Sequence, residues 1–153
     1  MDLSTDDNLM LIPTSKDIMT KNVITVTKNT PIYDAMELFA KYDISGMPVV
    51  DKDMKLIGVL SEKDLMNLVD VPEDEQDKTV NDLMTQPALY FEEDESLLDV
   101  CHFLKKNVFR RVPITSKGKL VGIISIRDII EFILKLNRYG NKEVTETANG
   151  GNG

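Results

Sequence analysis

The chain has 153 residues, and 26 Asp and Glu against 18 Lys and Arg give it a formal charge of −8. That length suits one ordinary domain or two very small ones, and the acidic balance argues against sequence-independent binding to nucleic acid or an anionic membrane, since both depend on neutralising phosphate with Lys and Arg. A lone cysteine, Cys101, excludes an intramolecular disulfide framework and a Cys-based zinc site and fits a reducing compartment, so a cytoplasmic location is expected.

No apolar run approaches the roughly 18–20 residues of a membrane helix. Residues 1–15, which open Met-Asp-Leu-Ser-Thr-Asp-Asp, lack the basic start of a secretory signal and read as a lead-in. From residue 16 the elements follow in order. Asp17-Ile18-Met19-Thr20 precedes the β-branched run Val23-Ile24-Thr25-Val26, an extended strand. Thr30-Pro31 then supplies a helix N-cap with proline at the first helical position, and Ile32, Ala35, Met36 and Phe39 fall at helical spacing. Two short apolar strands at 47–50 and 56–60 flank a polar turn as a hairpin, and Leu65, Leu68 and Val69 mark a closing helix. Residues 71–80, with Glu73-Asp74-Glu75-Gln76-Asp77 at their centre, form a solvated acidic connector.

The same order then recurs. Asp82-Leu83-Met84-Thr85, Asp99 and Pro113 repeat Asp17-Ile18-Met19-Thr20, Asp34 and Pro48 at an offset of 65, and the offset drops to 64 after the polar turn. Leu97, Cys101, Leu104 and Val108 carry the second copy's helical stripe, 112–114 and 120–124 its hairpin, and Ile129, Ile130, Ile133 and Leu136 its closing helix. The chain is therefore read as β-α-β-β-α twice, an α+β fold with units at 16–70 and 81–137 and a tail at 138–153 expected to be disordered. A unit of this size alone buries little surface, so the two are expected to pack together. Most of the eight methionines fall on the apolar stripes and read as core.

Each copy joins its last strand to its last helix through Gly-h-x-Ser-x-x-Asp, as Gly58-Val59-Leu60-Ser61-Glu62-Lys63-Asp64 and Gly122-Ile123-Ile124-Ser125-Ile126-Arg127-Asp128. One reading is structural, a serine N-cap with an acidic residue at N3 as in a capping box. The other is chemical. Free N–H groups and a hydroxyl at a helix start receive phosphate, a nearby carboxylate accepts both hydroxyls of a ribose, and glycine admits a ligand to the backbone. No catalytic set accompanies them. Cys101 and His102 are helix neighbours pointing about 100° apart, a single histidine gives no metal cluster, and Walker and Gly-x-Ser-x-Gly loops are missing, so no enzyme and no cofactor are expected.

These motifs, together with Ile44-Ser45-Gly46-Met47-Pro48-Val49-Val50, resemble the CBS domain (cystathionine-β-synthase motif), and the tandem resembles a stand-alone Bateman module over about 16–137. The resemblance implies two βαββα motifs packed sheet to sheet about a pseudo-twofold axis, with clefts between them for adenosine-type ligands. Carried over by position, cleft one combines Gly58, Ser61, Lys63 and Asp64 with Phe109, Arg110, Arg111 and Pro113. Cleft two combines Gly122, Ser125, Arg127 and Asp128 with Ile44, Ser45, Gly46, Met47 and Pro48, with Val23 and Ile24 beside the base; residues 88–91 are their counterpart in cleft one. Arg110 and Arg111 stand where the first copy has Ser45 and Gly46, so the cleft holding Asp64 is expected to favour the more anionic ligand. The implied function is regulatory, acting through a homodimer or an effector protein; the competing reading is a constitutive dimerisation module with vestigial sites.

Overall fold

The computed structural model describes residues 12–70, 72 and 77–138; the first eleven residues of the lead-in, residues 71 and 73–76 of the acidic connector and residues 139–153 of the tail lie outside the described residues. The two hairpins organise everything else. Strand β1 (Gly46–Val50) is buried along its whole length and pairs antiparallel with β2 (Leu56–Ser61). Asp51 shapes the turn between them, its Oδ1 accepting from the N–H of Asp53 and of Lys55 at 2.9 Å each, while Met54 turns left-handed at φ 65°. Strands β4 (Arg111–Ser116) and β5 (Lys119–Ser125) repeat the hairpin around Lys117-Gly118, where φ of 52° and 84° give the two left-handed residues of a tight hairpin turn. The segment 116–119 is one residue shorter than its counterpart 51–55, which is where the offset between repeats changes. The hairpin turns meet each other: Leu56 N–H donates to the Gly118 carbonyl at 3.1 Å and Leu120 N–H to that of Met54 at 2.9 Å.

The early strands are shorter than the sequence implies. Residues 23–26 contribute a single parallel bridge, Val26 to Val49, and the second copy supplies only β3 (Phe91–Glu92), parallel to β4. The helices also differ from expectation. The helix that Thr30 was expected to cap starts one residue late, with Pro31 at the cap position, because the Thr30 hydroxyl instead accepts from Thr27 N–H at 3.2 Å. Its counterpart runs Leu97–Lys106 and leaves Val108, 83% exposed, outside. The first closing helix is one turn (Glu62–Leu65) followed by a 3-10 turn (Met66–Leu68), so Leu65 is buried but Val69 is 77% exposed. Of the six methionines among the described residues, Met47 and Met84 are buried and Met19 packs against the second core, whereas Met36, Met54 and Met66 are exposed; Met1 and Met10 lie outside the described residues. Cys101 is partly buried against the second core, and that burial pushes its thiol pKa up.

The helix leading each repeat is housed by the other repeat. In chain order the helices are α1 (Ser15–Ile18), α2 (Ile32–Tyr42), α3 (Glu62–Leu65), α4 (Val80–Leu83), α5 (Leu97–Lys106) and α6 (126–138). α1 docks on the second half, where Ser15 N–H donates to the Glu95 carbonyl and Leu97 N–H to that of Pro13; α4 docks on the first, through Val80 N–H to Thr30 and Ile32 N–H to Lys78. The cores follow. Val80 and Met84 belong to the cluster built around Ile32, Met47 and Leu60, and Ile18 and Met19 pack against the one around Val100, Ile114 and Ile124. The second residue after each exchanged helix adds a rung to the opposite sheet: Thr85 pairs antiparallel with Val59 and Thr20 with Ile123, each through two main-chain hydrogen bonds of 2.8–3.0 Å. The rungs run Val26, β1, β2, Thr85 in one half and β3, β4, β5, Thr20 in the other. No helix among the described residues is long and apolar enough to cross a membrane.

Both exchanged helices carry capping boxes, Thr14 with Asp17 and Thr79 with Asp82, and the Thr N–H bonds hold each carboxyl below its ordinary pKa. A carboxyl with a depressed folded pKa stabilises above its unfolded value, about pH 4, and loses that contribution as pH falls through the folded value. The Tm gap between the wild type and Asp17→Asn/Asp82→Asn therefore narrows on acidification below about pH 4, as thermal unfolding measured across pH will register. The glycines give a second expectation. A Cβ on Gly58 would lie 2.6 Å from the Thr85 carbonyl oxygen, whereas one on Gly122 would meet the flexible Met19 side chain, at 2.5 Å from its sulfur. Gly58→Ala should cost about 1–3 kcal/mol and Gly122→Ala less, measured by urea unfolding.

Candidate functional site

The Gly-h-x-Ser-x-x-Asp segments form the capping boxes their spacing suggests. Asp64 N–H donates to Ser61 Oγ at 3.3 Å while Ser61 N–H donates to Asp64 Oδ2 at 2.8 Å; the Ser125 and Asp128 pair gives 3.1 and 2.9 Å. The second carboxylate oxygen of each is reached from the opposite repeat. Thr85 Oγ1 donates to Asp64 Oδ1 and Thr20 Oγ1 to Asp128 Oδ1, both at 3.2 Å. Each Asp therefore serves structure and still presents spare lone pairs to a ligand hydroxyl. Sequence reasoning missed both threonines. The signal was present, since each ends the repeated Asp-h-Met-Thr tetrapeptide, but nothing local says that the tetrapeptide crosses to the other half.

Two cavities lie beside these carboxylates. The first, about 120 Å³, is bordered by Ser61, Asp64 and Thr85, by Pro87, Ala88 and Leu89 of the early second-copy segment, and by Phe109, Arg111 and Pro113. Phe109 is held there by stacking on Phe103, with ring centroids 5.9 Å apart and planes within 9°. The second, about 190 Å³, is bordered by Thr20, Asn22, Val23 and Ile24 with Ile44, Gly46, Arg111, Ser125 and Asp128. Beside it a wider depression of about 880 Å³ shares Ile44, Arg111 and Ser125 with it and adds Ser45, Arg110 and Arg127.

Most of the expected residues converge, with redistribution. Ser61, Asp64, Phe109, Arg111 and Pro113 meet at the first cavity, and Val23, Ile24, Ile44, Gly46, Ser125 and Asp128 at the second. Met47 and Pro48 border the first cavity rather than the second, Gly46 borders both, and Ser45, Arg110 and Arg127 sit on the outer depression. Lys63 is exposed and borders none of the three. Gly58 and Gly122 border none of them either, because the space a side chain would need there is taken by Thr85 and by Met19 of the exchanged segments. Arg111 borders both cavities and the depression. Burial, reinforced by the charge of Arg110, pushes its guanidinium pKa below the ordinary value, against the pull of Asp128 and Glu62, and its Nε is buried without a hydrogen-bond partner. Among the described residues no group of His, Cys, Asp and Glu is arranged to hold a metal ion.

Comparison with known proteins places this architecture. Residues 16–71 and 80–135 each match the CBS domain, and the chain belongs to the CBS-domain family. It is 32% identical over 118 residues to the uncharacterized protein MJ1225 of Methanocaldococcus jannaschii, covering 77% of this chain and 42% of that protein. The chain thus spans less than half the length of that relative, as it does of inosine-5'-monophosphate dehydrogenase from Aquifex aeolicus, where the match covers 25% of the enzyme. Among solved structures it resembles CBSX2 of Arabidopsis thaliana in complex with AMP, with a TM-score of 0.74, 32% identity and coverage of 82% of this chain and 99% of that one. The CBS domain pair of MJ0100, solved with 5'-methylthioadenosine and S-adenosyl-L-methionine, gives a TM-score of 0.68 at 28% identity, covering 80% and 96%. The chain is thus a tandem pair of CBS motifs.

Proposed function

We propose that this pair is a cytoplasmic regulatory module that binds adenosine-containing ligands of the AMP, ADP and ATP class in its two clefts and passes their occupancy to an effector protein or a second copy. The observation that carries the reading is the twofold arrangement of Asp64 and Asp128. Each stands at a cavity edge beside a serine and an opposite-repeat threonine, next to Arg111. A carboxylate suits the paired hydroxyls of a ribose, and a guanidinium suits phosphate oxygens. AMP in CBSX2, and the two adenosyl compounds in the MJ0100 pair, support the same ligand class. Because each cleft draws side chains from both repeats, a ligand seated there stabilises one arrangement of the halves by its differential affinity.

Thermal unfolding with AMP, ADP, ATP and S-adenosylmethionine is the test. Ligand at 100 times its Kd adds about 2.7 kcal/mol per site, so at least one compound should raise Tm, and Asp64→Ala and Asp128→Ala should each reduce that rise. No shift with any compound at millimolar concentration would leave the constitutive interaction module as the reading.

A homodimer accompanies either reading. Of the apolar stripe of α6, Ile130, Ile133 and Leu136 are exposed, Ile133 by 56%, as is the neighbouring Leu134, and Tyr33 and Met36 add exposed apolar surface on α2. Apolar surface presented by several helices in this way marks an association site. Sedimentation velocity should give a dimer for the wild type and a monomer for Ile133→Glu.

A further inference from the structure

Positions 46 and 111 are counterparts at the offset of 65, one a glycine and the other an arginine. They face each other across the pseudo-twofold: a Cβ placed on Gly46 would lie 3.9 Å from Arg111 Cδ, in van der Waals contact with the arginine stem. A second arginine at 46 would meet the first, in volume and in charge. Each cavity is therefore bordered by residue 46 and by residue 111, and Arg111 is the sole basic side chain bordering either of them among the described residues. Its Nε is buried without a hydrogen-bond partner, so no protein acceptor fixes the guanidinium from that side.

Resting on the adenosine-ligand reading, we propose that the two clefts share one phosphate-binding group, Arg111, so that an anionic ligand in either cleft weakens an anionic ligand in the other while uncharged ligands fill both without interference. The guanidinium offers a given bidentate edge to one phosphate at a time, so the second phosphate meets fewer donors and the charge of the first. The coupling is reciprocal, whichever cleft fills first. The module would then respond to the charge of its ligands as well as to adenosine.

Isothermal titration of the full chain with AMP and with adenosine tests this, using Asp64→Ala to close cleft one and Asp128→Ala to close cleft two, or Asp→Asn at either position should the alanine variant fail to fold. In each single-cleft variant AMP should bind the open cleft about tenfold tighter than adenosine, the scale of one charge-assisted hydrogen bond. In the wild type only the first AMP should show that advantage, and Arg111→Gly should bring the AMP-to-adenosine ratio to about one at both clefts. The proposal is overturned if both wild-type AMP molecules keep the advantage, if only one single-cleft variant has it, or if Arg111→Gly leaves the ratio unchanged. Absence of binding by either compound is a different result, since it removes the adenosine reading itself.

Discussion

The exchange of leading segments is the constraint on which the molecule rests. Thr20 bonds main chain to main chain with Ile123, and Thr85 with Val59, so each half completes its sheet with a residue from the other. The helices that precede these residues fill the opposite cores through Ile18 and Met19 on one side and Val80 and Met84 on the other. Separating the halves would expose both cores and break the backbone hydrogen bonds that cross between them, the four at Thr20 and Thr85 among them, and buried main-chain groups left unpaired are costly. A repeat too small to be comfortably stable alone becomes half of a single body.

The same exchange builds the clefts. Once Thr85 is on the edge of β2 its hydroxyl reaches Asp64, and the residues after it, Pro87 to Leu89, become the far wall of the first cavity. Thr20, Asn22, Val23 and Ile24 do the same for the second. The glycines of the repeated motif are explained by this crossing, since a side chain at 58 would strike the Thr85 carbonyl. Their conformational role is thus one of close approach between main chains within the protein.

Duplication makes the halves equivalent in outline, and the axis between them is where equivalence ends. Where the two segments face each other, one carries the long side chain of Arg111 and the other Gly46, where a Cβ would lie 3.9 Å from the Arg111 Cδ. Its neighbour Arg110 turns outward with Arg127 to the depression that continues from the second cavity. The basic character expected of the Asp64 cleft is in this way shared with the Asp128 cleft.

What the sequence determines by itself is what depends on local spacing. Hairpins and capping boxes were legible because alternation, turn residues and a Ser-x-x-Asp interval act within a few residues of one another. Most of the cleft residues were legible as well, through motifs that duplication printed twice. Helix ends were less so: Val69 and Val108 continue an apolar spacing but are exposed, and most of the α6 stripe is left uncovered by the described residues. Only the tertiary structure decided that Thr20 and Thr85 cross between halves, that Gly58 and Gly122 make way for them, and that one arginine stands between two cavities. Those outcomes depend on which surfaces compete for the same space across some 65 residues of sequence, and no local periodicity encodes such a competition.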